Sequence, residues 1–308
     1  MHRVRQYAFI ATGAALLLGA SASAQWLKLE NQTGTRLVAN PALVVNDNLE
    51  KDFAWGDFNN NGWVDLAMAR KFAGSQVGGF TNMLFMNEGG VLVDRTAEYA
   101  SSSDVAGYNG FFDLTNDRVI KATDVNGDGW LDLVTGTTMS DGVNVILGQP
   151  RVYINLGNDA NGNWLGFQHQ RDRIPQLFPL TPNPPAAANP RLCPLAVGGL
   201  NGDGFPDLFF TDYDRAETFG QNICIDLNGD GDTNDPGECR TSPDMQASHD
   251  FNNKLLYNWG NTQGGPGPGY FYDTNWTVLT GPQINSNFGN SASIADMNGD
   301  GINDIVRL

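Results

Sequence analysis

Short apolar and β-branched runs recur along the chain, each broken by a cluster of Asp, Asn and Gly. Four of them, "VDLAMA", "LDLVTG", "PDLFFT" and "NDIVRL", overlap the end of such a cluster. Three longer stretches follow the first three: "NMLFMNEGGVLVDRT", "RVYINLGNDANGNWLGFQ" and "KLLYNWGNTQGGPGPGYFYDT". Each is an apolar strand, an Asn with Gly, and a second aromatic or apolar strand, which is the composition of a hairpin. Nothing between them holds a helical period over a useful length. The pattern predicts strand, polar loop, strand and hairpin, four antiparallel strands in each unit.

The polar loops follow one template. "DFNNNGWVDL" (Asp57–Leu66), "DVNGDGWLDL" (Asp124–Leu133), "GLNGDGFPDL" (Gly199–Leu208) and "DMNGDGINDI" (Asp296–Ile305) read D-x-N-x-[DN]-G-x-x-D-[LI], with Gly199 the one departure at the first position. Their starts lie 67, 75 and 97 residues apart. A small residue precedes each: Gly56, Thr123, Gly198 and Ala295. Small side chains suit an innermost strand, where several units crowd one axis, and radial repetition of four-stranded sheets is a β-propeller. A unit that cannot bury its own faces stacks on its neighbours, so copies come in series.

The loop chemistry selects a hard cation. An EF-hand needs Glu at position 12 between helices; here that position is Met68, Thr135, Phe210 or Arg307, and strands flank the loop. Nonapeptide calcium repeats recur every nine residues, which also excludes them. What remains is a nine-residue loop in which side chains at positions 1, 3, 5 and 9 and the carbonyl of position 7 face a cation, with Gly at position 6 for the turn. The ligands predicted are Asp57, Asn59, Asn61, Trp63 and Asp65; Asp124, Asn126, Asp128, Trp130 and Asp132; Asn201, Asp203, Phe205 and Asp207; and Asp296, Asn298, Asp300, Ile302 and Asp304. All supply oxygen, which suits Ca²⁺ over zinc or copper. Carboxylate count predicts tighter binding in the second and fourth loops than in the first and third. The same residue types also make plain turns, but scattered turns would not hold one template. The bulky residues at position 7 are expected to pack between units. A fifth acidic stretch, with Asp226, Asn228, Asp230 and Asp232, is either another cation loop or a solvated acidic one.

Composition adds a compartment. Arg3 and Arg5, an apolar run and Ala22-x-Ala24 form a secretory leader over residues 1–24, with an apolar run shorter than the roughly 20 residues of a membrane span. The mature chain then carries 16 basic and 34 acidic residues, a formal −18, which disfavours nucleic acid and anionic lipid as partners. A secreted, periplasmic or cell-surface location follows, with no transmembrane segment after cleavage. Export allows disulfides, and Cys224 and Cys239 bracket the acidic stretch within an insertion over about residues 213–250. A disulfide between them is expected, while Cys193 reads as a small buried hydrophobe.

On the four loops and the Asn-Gly hairpins, residues 25–308 resemble the FG-GAP or VCBS-type repeat family, which includes the propeller of integrin α chains. The resemblance implies an all-β propeller of four-stranded antiparallel blades with calcium loops. "WLKLENQTGTRLVANPA" (Trp26–Ala42) reads as an outer hairpin. Either it completes a four-bladed ring with the fourth unit, or the chain is an incomplete ring from a longer propeller; the usual blade number of the family favours the second. Catalytic groups are sparse: His169 and His249 sit on different units, and no nucleophile elbow or phosphate loop is present. The expectation is a calcium-stabilised binding, adhesion or scaffold module for an extracellular protein or glycan. The alternative is the propeller of a secreted enzyme acting on polysaccharides or phosphodiesters with catalytic residues beyond residue 308.

Overall fold

The computed structural model describes residues 30–39, 49–71, 79–138, 145–177, 191–212, 221–224, 239–242, 253–280, 289 and 291–307. The residues predicted as a leader (1–24), Asp226, Asn228, Asp230, Asp232 and His249 lie outside them. The described chain is mostly strand, with four single-turn helices: α1 (Thr33–Arg36), α2 (Thr96–Tyr99), α3 (Val145–Gly148) and α4 (Asn275–Val278).

Sheet one holds β1 (Leu37–Val38), β2 (Glu50–Gly56), β3 (Asp65–Arg70), β4 (Met83–Asn87) and β5 (Leu92–Asp94), in the order β1-β5-β4-β3-β2. Sheet two repeats it with β6 (Ser102–Ser103), β7 (Asp117–Thr123), β8 (Asp132–Thr137), β9 (Arg151–Asn155) and β10 (Phe167–His169), in the order β6-β10-β9-β8-β7. Sheet three is the four-stranded β11-β12-β15-β16: β11 (Leu192–Gly198), β12 (Asp207–Asp212), β15 (Lys254–Asn258) and β16 (Phe271–Asp273). Between its second and third strands comes a separate ribbon of β13 (Gln221–Cys224) and β14 (Cys239–Ser242). The described part of sheet four is the pair β17 (Ala292–Ala295) and β18 (Asp304–Arg307).

The four main strands of each of the first three sheets pair antiparallel, as the sequence predicts. The short fifth strands differ. β1 joins β5 and β6 joins β10 in parallel, each adding an outer rung to the sheet that follows it in sequence. Leu37 and Val38, expected in an outer hairpin, therefore lie on the rim of sheet one.

Stacking of the sheets supplies the core. Ala67, Leu84 and Met86 of sheet one meet Ile120, Leu133 and Tyr153 of sheet two. Val134 and Val152 on the other face of sheet two meet Leu208, Phe210 and Leu256 of sheet three. Phe209 and Leu255 of sheet three then meet Ile294 and Ile305 of sheet four. Burying each large apolar side chain stabilises by about 1.5–3 kcal/mol. Strands β3, β8 and β12 are buried along their whole length, because both faces of their sheets are covered. They therefore read as apolar runs without alternation. The small residues before the loops fit the same scheme: a Cβ at Gly56 would stand 2.7 Å from Leu131 Cδ1, and one at Gly198 2.7 Å from Ile294 Cγ2. The units form a partial β-propeller, and the described residues do not close a ring.

Candidate cation loops and the braces between sheets

All four loops adopt one backbone form. The glycines at position 6, Gly62, Gly129, Gly204 and Gly301, have φ of 89°, 88°, 89° and 87°. Position 4 is also left-handed, at Asn60, Gly127, Gly202 and Gly299, a conformation in which Gly and Asn carry the least strain.

Positions 1, 3 and 5 come together in a single turn. Asp124 Oδ1 accepts from Gly127 N at 2.7 Å and Asp128 N at 3.2 Å, and Oδ2 from Gly129 N at 2.8 Å. Asp57 and Asp296 accept in the same way from Gly62 and Gly301, at 2.7 and 2.8 Å. Asn126 Oδ1 accepts from Asp128 N, and its amide donates to Asp128 Oδ2 at 2.8 Å; Asn201 and Asp203 repeat this pair at 3.0 Å. These hydrogen bonds from Gly301 and its neighbours hold the Asp296 carboxyl below its usual range.

Position 9 is placed differently. Asp65, Asp132 and Asp207 are buried, and both oxygens of each accept backbone N–H groups. One donor is loop position 2: Phe58, Val125 or Leu200, at 2.9, 2.9 and 2.7 Å. The other is the Asn that ends the third strand: Asn87, Asn155 or Asn258, at 2.7, 2.8 and 2.9 Å. Burial raises the pKa of these carboxyls, to about 6 for Asp65 and about 7 for Asp132, against the lowering effect of the N–H groups. Asp207 shifts the same way for the same reason. Among the described residues no three His, Cys, Asp or Glu side chains gather into a metal cluster. The exposed donors drawn together at positions 1, 3 and 5 are carboxylate and amide oxygens, and a set without sulfur or imidazole fits calcium.

The strand-ending asparagines also join sheets. Asn155 Nδ2 donates to Leu131 O of its own loop at 3.1 Å and to Phe58 O of sheet one at 2.8 Å. Asn258 does the same with Pro206 O at 3.2 Å and Val125 O of sheet two at 2.8 Å. The sequence carries the signal for this role, since an Asn-rich turn follows every third strand, but the turn alone did not reveal a bond to the neighbouring sheet. Of the position-7 residues, Phe205 does pack between units, with its Cε1 2.9 Å from where a Cβ would stand at Gly127. Trp130 instead lies against Gly157 of its own sheet, and Trp63 and Ile302 are exposed.

A second polar group lies at the far ends of the strands of sheet two. Arg151 donates to Asp113 Oδ2 at 2.6 Å and lies 3.0 Å from His169 Nδ1, which is also 3.0 Å from Ser103 Oγ. Burial, then Arg151 and Arg171, push the His169 pKa down to about 2. His169 is an internally satisfied core histidine rather than a general base. In the inserted ribbon, Cys224 and Cys239 are directly opposed Cα partners, while Cys193 is buried in the core between sheets two and three.

No curated protein matches the chain. No described helix is long and apolar enough to cross a membrane. Residues 120–154, which carry Asp124–Leu133 and run from β7 into β9, match the sequence model of the FG-GAP repeat, the family the four loops resemble, with nothing that singles out integrin chains.

Proposed function

We propose that this chain is an exported, calcium-braced propeller module that binds a protein or glycan outside the cell. An FG-GAP repeat points to a propeller-type binding or adhesion module. The observation that carries the finer reading is the identity of the loops: the same turn recurs at Asp57, Asp124 and Asp296, with carboxylates and amides drawn together at exposed positions. Like charges held close in one turn repel unless a cation neutralises them. Asp124, Asn126, Asp128 and the fourth-loop residues Asp296, Asn298 and Asp300 would hold calcium most tightly, with Asp132 and Asp304 supporting them. Calcium supplies charge neutralisation, and by mass action it stabilises the ordered loops. Extracellular modules of this chemistry bind at about 10⁻⁴ to 10⁻³ M.

The acids in the loops and the buried Arg151 cluster are each engaged within the fold, which supports binding over catalysis. Glycan and protein arrays probed with the purified chain, in millimolar calcium and in chelator, test the reading. Calcium-dependent partners support it; turnover of a polysaccharide or phosphodiester by this chain would replace it with the enzyme alternative.

A further inference from the structure

The interface between sheets one and two holds a second joint at the strand ends opposite the loops. Asn82, just before β4, accepts from Arg70 N at 3.0 Å and donates to Asp117 Oδ2 of sheet two at 2.6 Å. This bond ties the two sheets together there, as the bond from Asn155 to Phe58 O does beside the loops. Asn82 and Asp117 are 1% and 0% exposed. The other carboxylate oxygen, Asp117 Oδ1, is buried without a hydrogen-bond partner among the described residues, and so are Thr115 Oγ1, Thr135 Oγ1, Tyr153 OH and Arg151 Nε. These groups share one place. The hydroxyls of Thr115 and Thr135 lie beside the Asp117 carboxyl, with the charge of Arg151 close by. Asn82 and Asp117 act in turn on the Tyr153 hydroxyl. Thr135 is the cross-strand partner of Arg151, whose guanidinium lies 5.3 Å from the centre of the Tyr153 ring.

Buried polar atoms in folded proteins are almost always hydrogen-bonded, because leaving them unmet costs their full desolvation. What meets this set must both donate and accept. A carboxylate oxygen only accepts, Arg151 Nε–H only donates, and the three hydroxyls do either. A metal cation would serve the oxygens and repel the guanidinium, and an anion would repel Asp117. Water serves every member, and a buried water makes about three such bonds. We propose that this site binds internal water: at least one ordered molecule that donates to Asp117 Oδ1 and bridges it to the hydroxyls around it. Sheets one and two are then joined by direct bonds at the loop end and by a hydrated network, begun by Asn82, at the far end.

A crystal structure of the unaltered chain tests this directly. An ordered water is expected within about 3.2 Å of Asp117 Oδ1 and of at least one of the three hydroxyls. Oxygen-17 relaxation dispersion in solution gives a second readout. The parent should show long-lived water, and the Thr115→Val/Thr135→Val double variant, which keeps the side-chain shape and removes two partners, should show a smaller dispersion. A dry site in which the hydroxyls bond Asp117 directly overturns the proposal, as does a metal ion in that place. Equal dispersion in the parent and the double variant also overturns it, and if the double variant does not fold, the crystal structure of the parent decides.

Discussion

The side-chain amide of Asn155 donates to the carbonyl of Phe58, 97 residues earlier and one sheet away, at 2.8 Å. The same side chain accepts from Gly157 N and Trp164 Nε1 at 3.1 and 2.8 Å. Asn155→Ala leaves these buried partners without their bonds, and each such loss costs about 1–3 kcal/mol. We expect a total loss of roughly 2–4 kcal/mol in urea unfolding, against less than about 0.5 kcal/mol for Asn161→Ala at the exposed hairpin tip. Equal midpoints for the two variants would remove Asn155 from its role as a joint.

Asp132 and Asp128 sit in one loop and should separate cleanly. In chelator, Asp132→Ala strips the acceptor from Val125 N and Asn155 N, both buried bonds, and costs about 2–4 kcal/mol. Asp128→Ala is exposed and stays within about 0.5 kcal/mol. Adding calcium should stabilise the parent and not the Asp128 variant. A neutral Asp132→Ala in chelator would show that position 9 is no brace.

His169 makes the fold sensitive to acid. Its folded pKa of about 2 lies below the ordinary 6.5, so between these values the unfolded chain binds the proton and the folded one does not. The His169 contribution is therefore complete above pH 6.5 and is lost as pH falls, by up to about 1.4 kcal/mol per pH unit. The Asp65 and Asp132 carboxyls, raised by burial, act with the opposite sign in the same window, so the imidazole shows as a difference between parent and variant: His169→Gln should lower the slope of stability against pH between pH 5 and 6.5 relative to the parent. Equal slopes for parent and variant would contradict the burial of this imidazole.

The three cysteines should react as two classes. Antiparallel partners have Cα atoms about 4.5–5.5 Å apart, inside the range a disulfide spans, and Cys224 and Cys239 are such partners. Non-reducing peptide mapping should recover them linked, a crosslink that stabilises by about 3 kcal/mol. Cys193, buried with its thiol pushed up to about 12, should resist alkylation until the chain unfolds. Rapid labelling of native Cys193, or free thiols at 224 and 239, would refute the respective assignment.

The repeat was legible because its signals are local. Gly at loop position 6, Asp at position 9, Asp at position 1 in three of the four loops and the Asn-Gly hairpins recur in register, and the strands between them carry the apolar runs that two-sided burial requires. The rest was hidden for physical reasons. β1 and β6 are two residues long, too short to show a period of two, so their parallel rungs left no trace in the sequence. Asp132 looks like any other loop acid, yet its burial and its bonds to Val125 N and Asn155 N depend on where β9 ends. The bond from Asn155 to Phe58 joins residues whose proximity exists only once the sheets have stacked.

Calcium binding by the loops is tested most directly by titration calorimetry with parallel thermal unfolding. Calcium added to the chelator-treated chain should give saturable heat from at least the second and fourth loops and raise the melting temperature, with free ligand at 100 times Kd adding about 2.7 kcal/mol per site. Asp124→Ala and Asp296→Ala should each remove one tight site. No heat and an unchanged melting temperature at millimolar calcium would mean that the loops are turns that hold themselves together, and the calcium-braced module would be wrong.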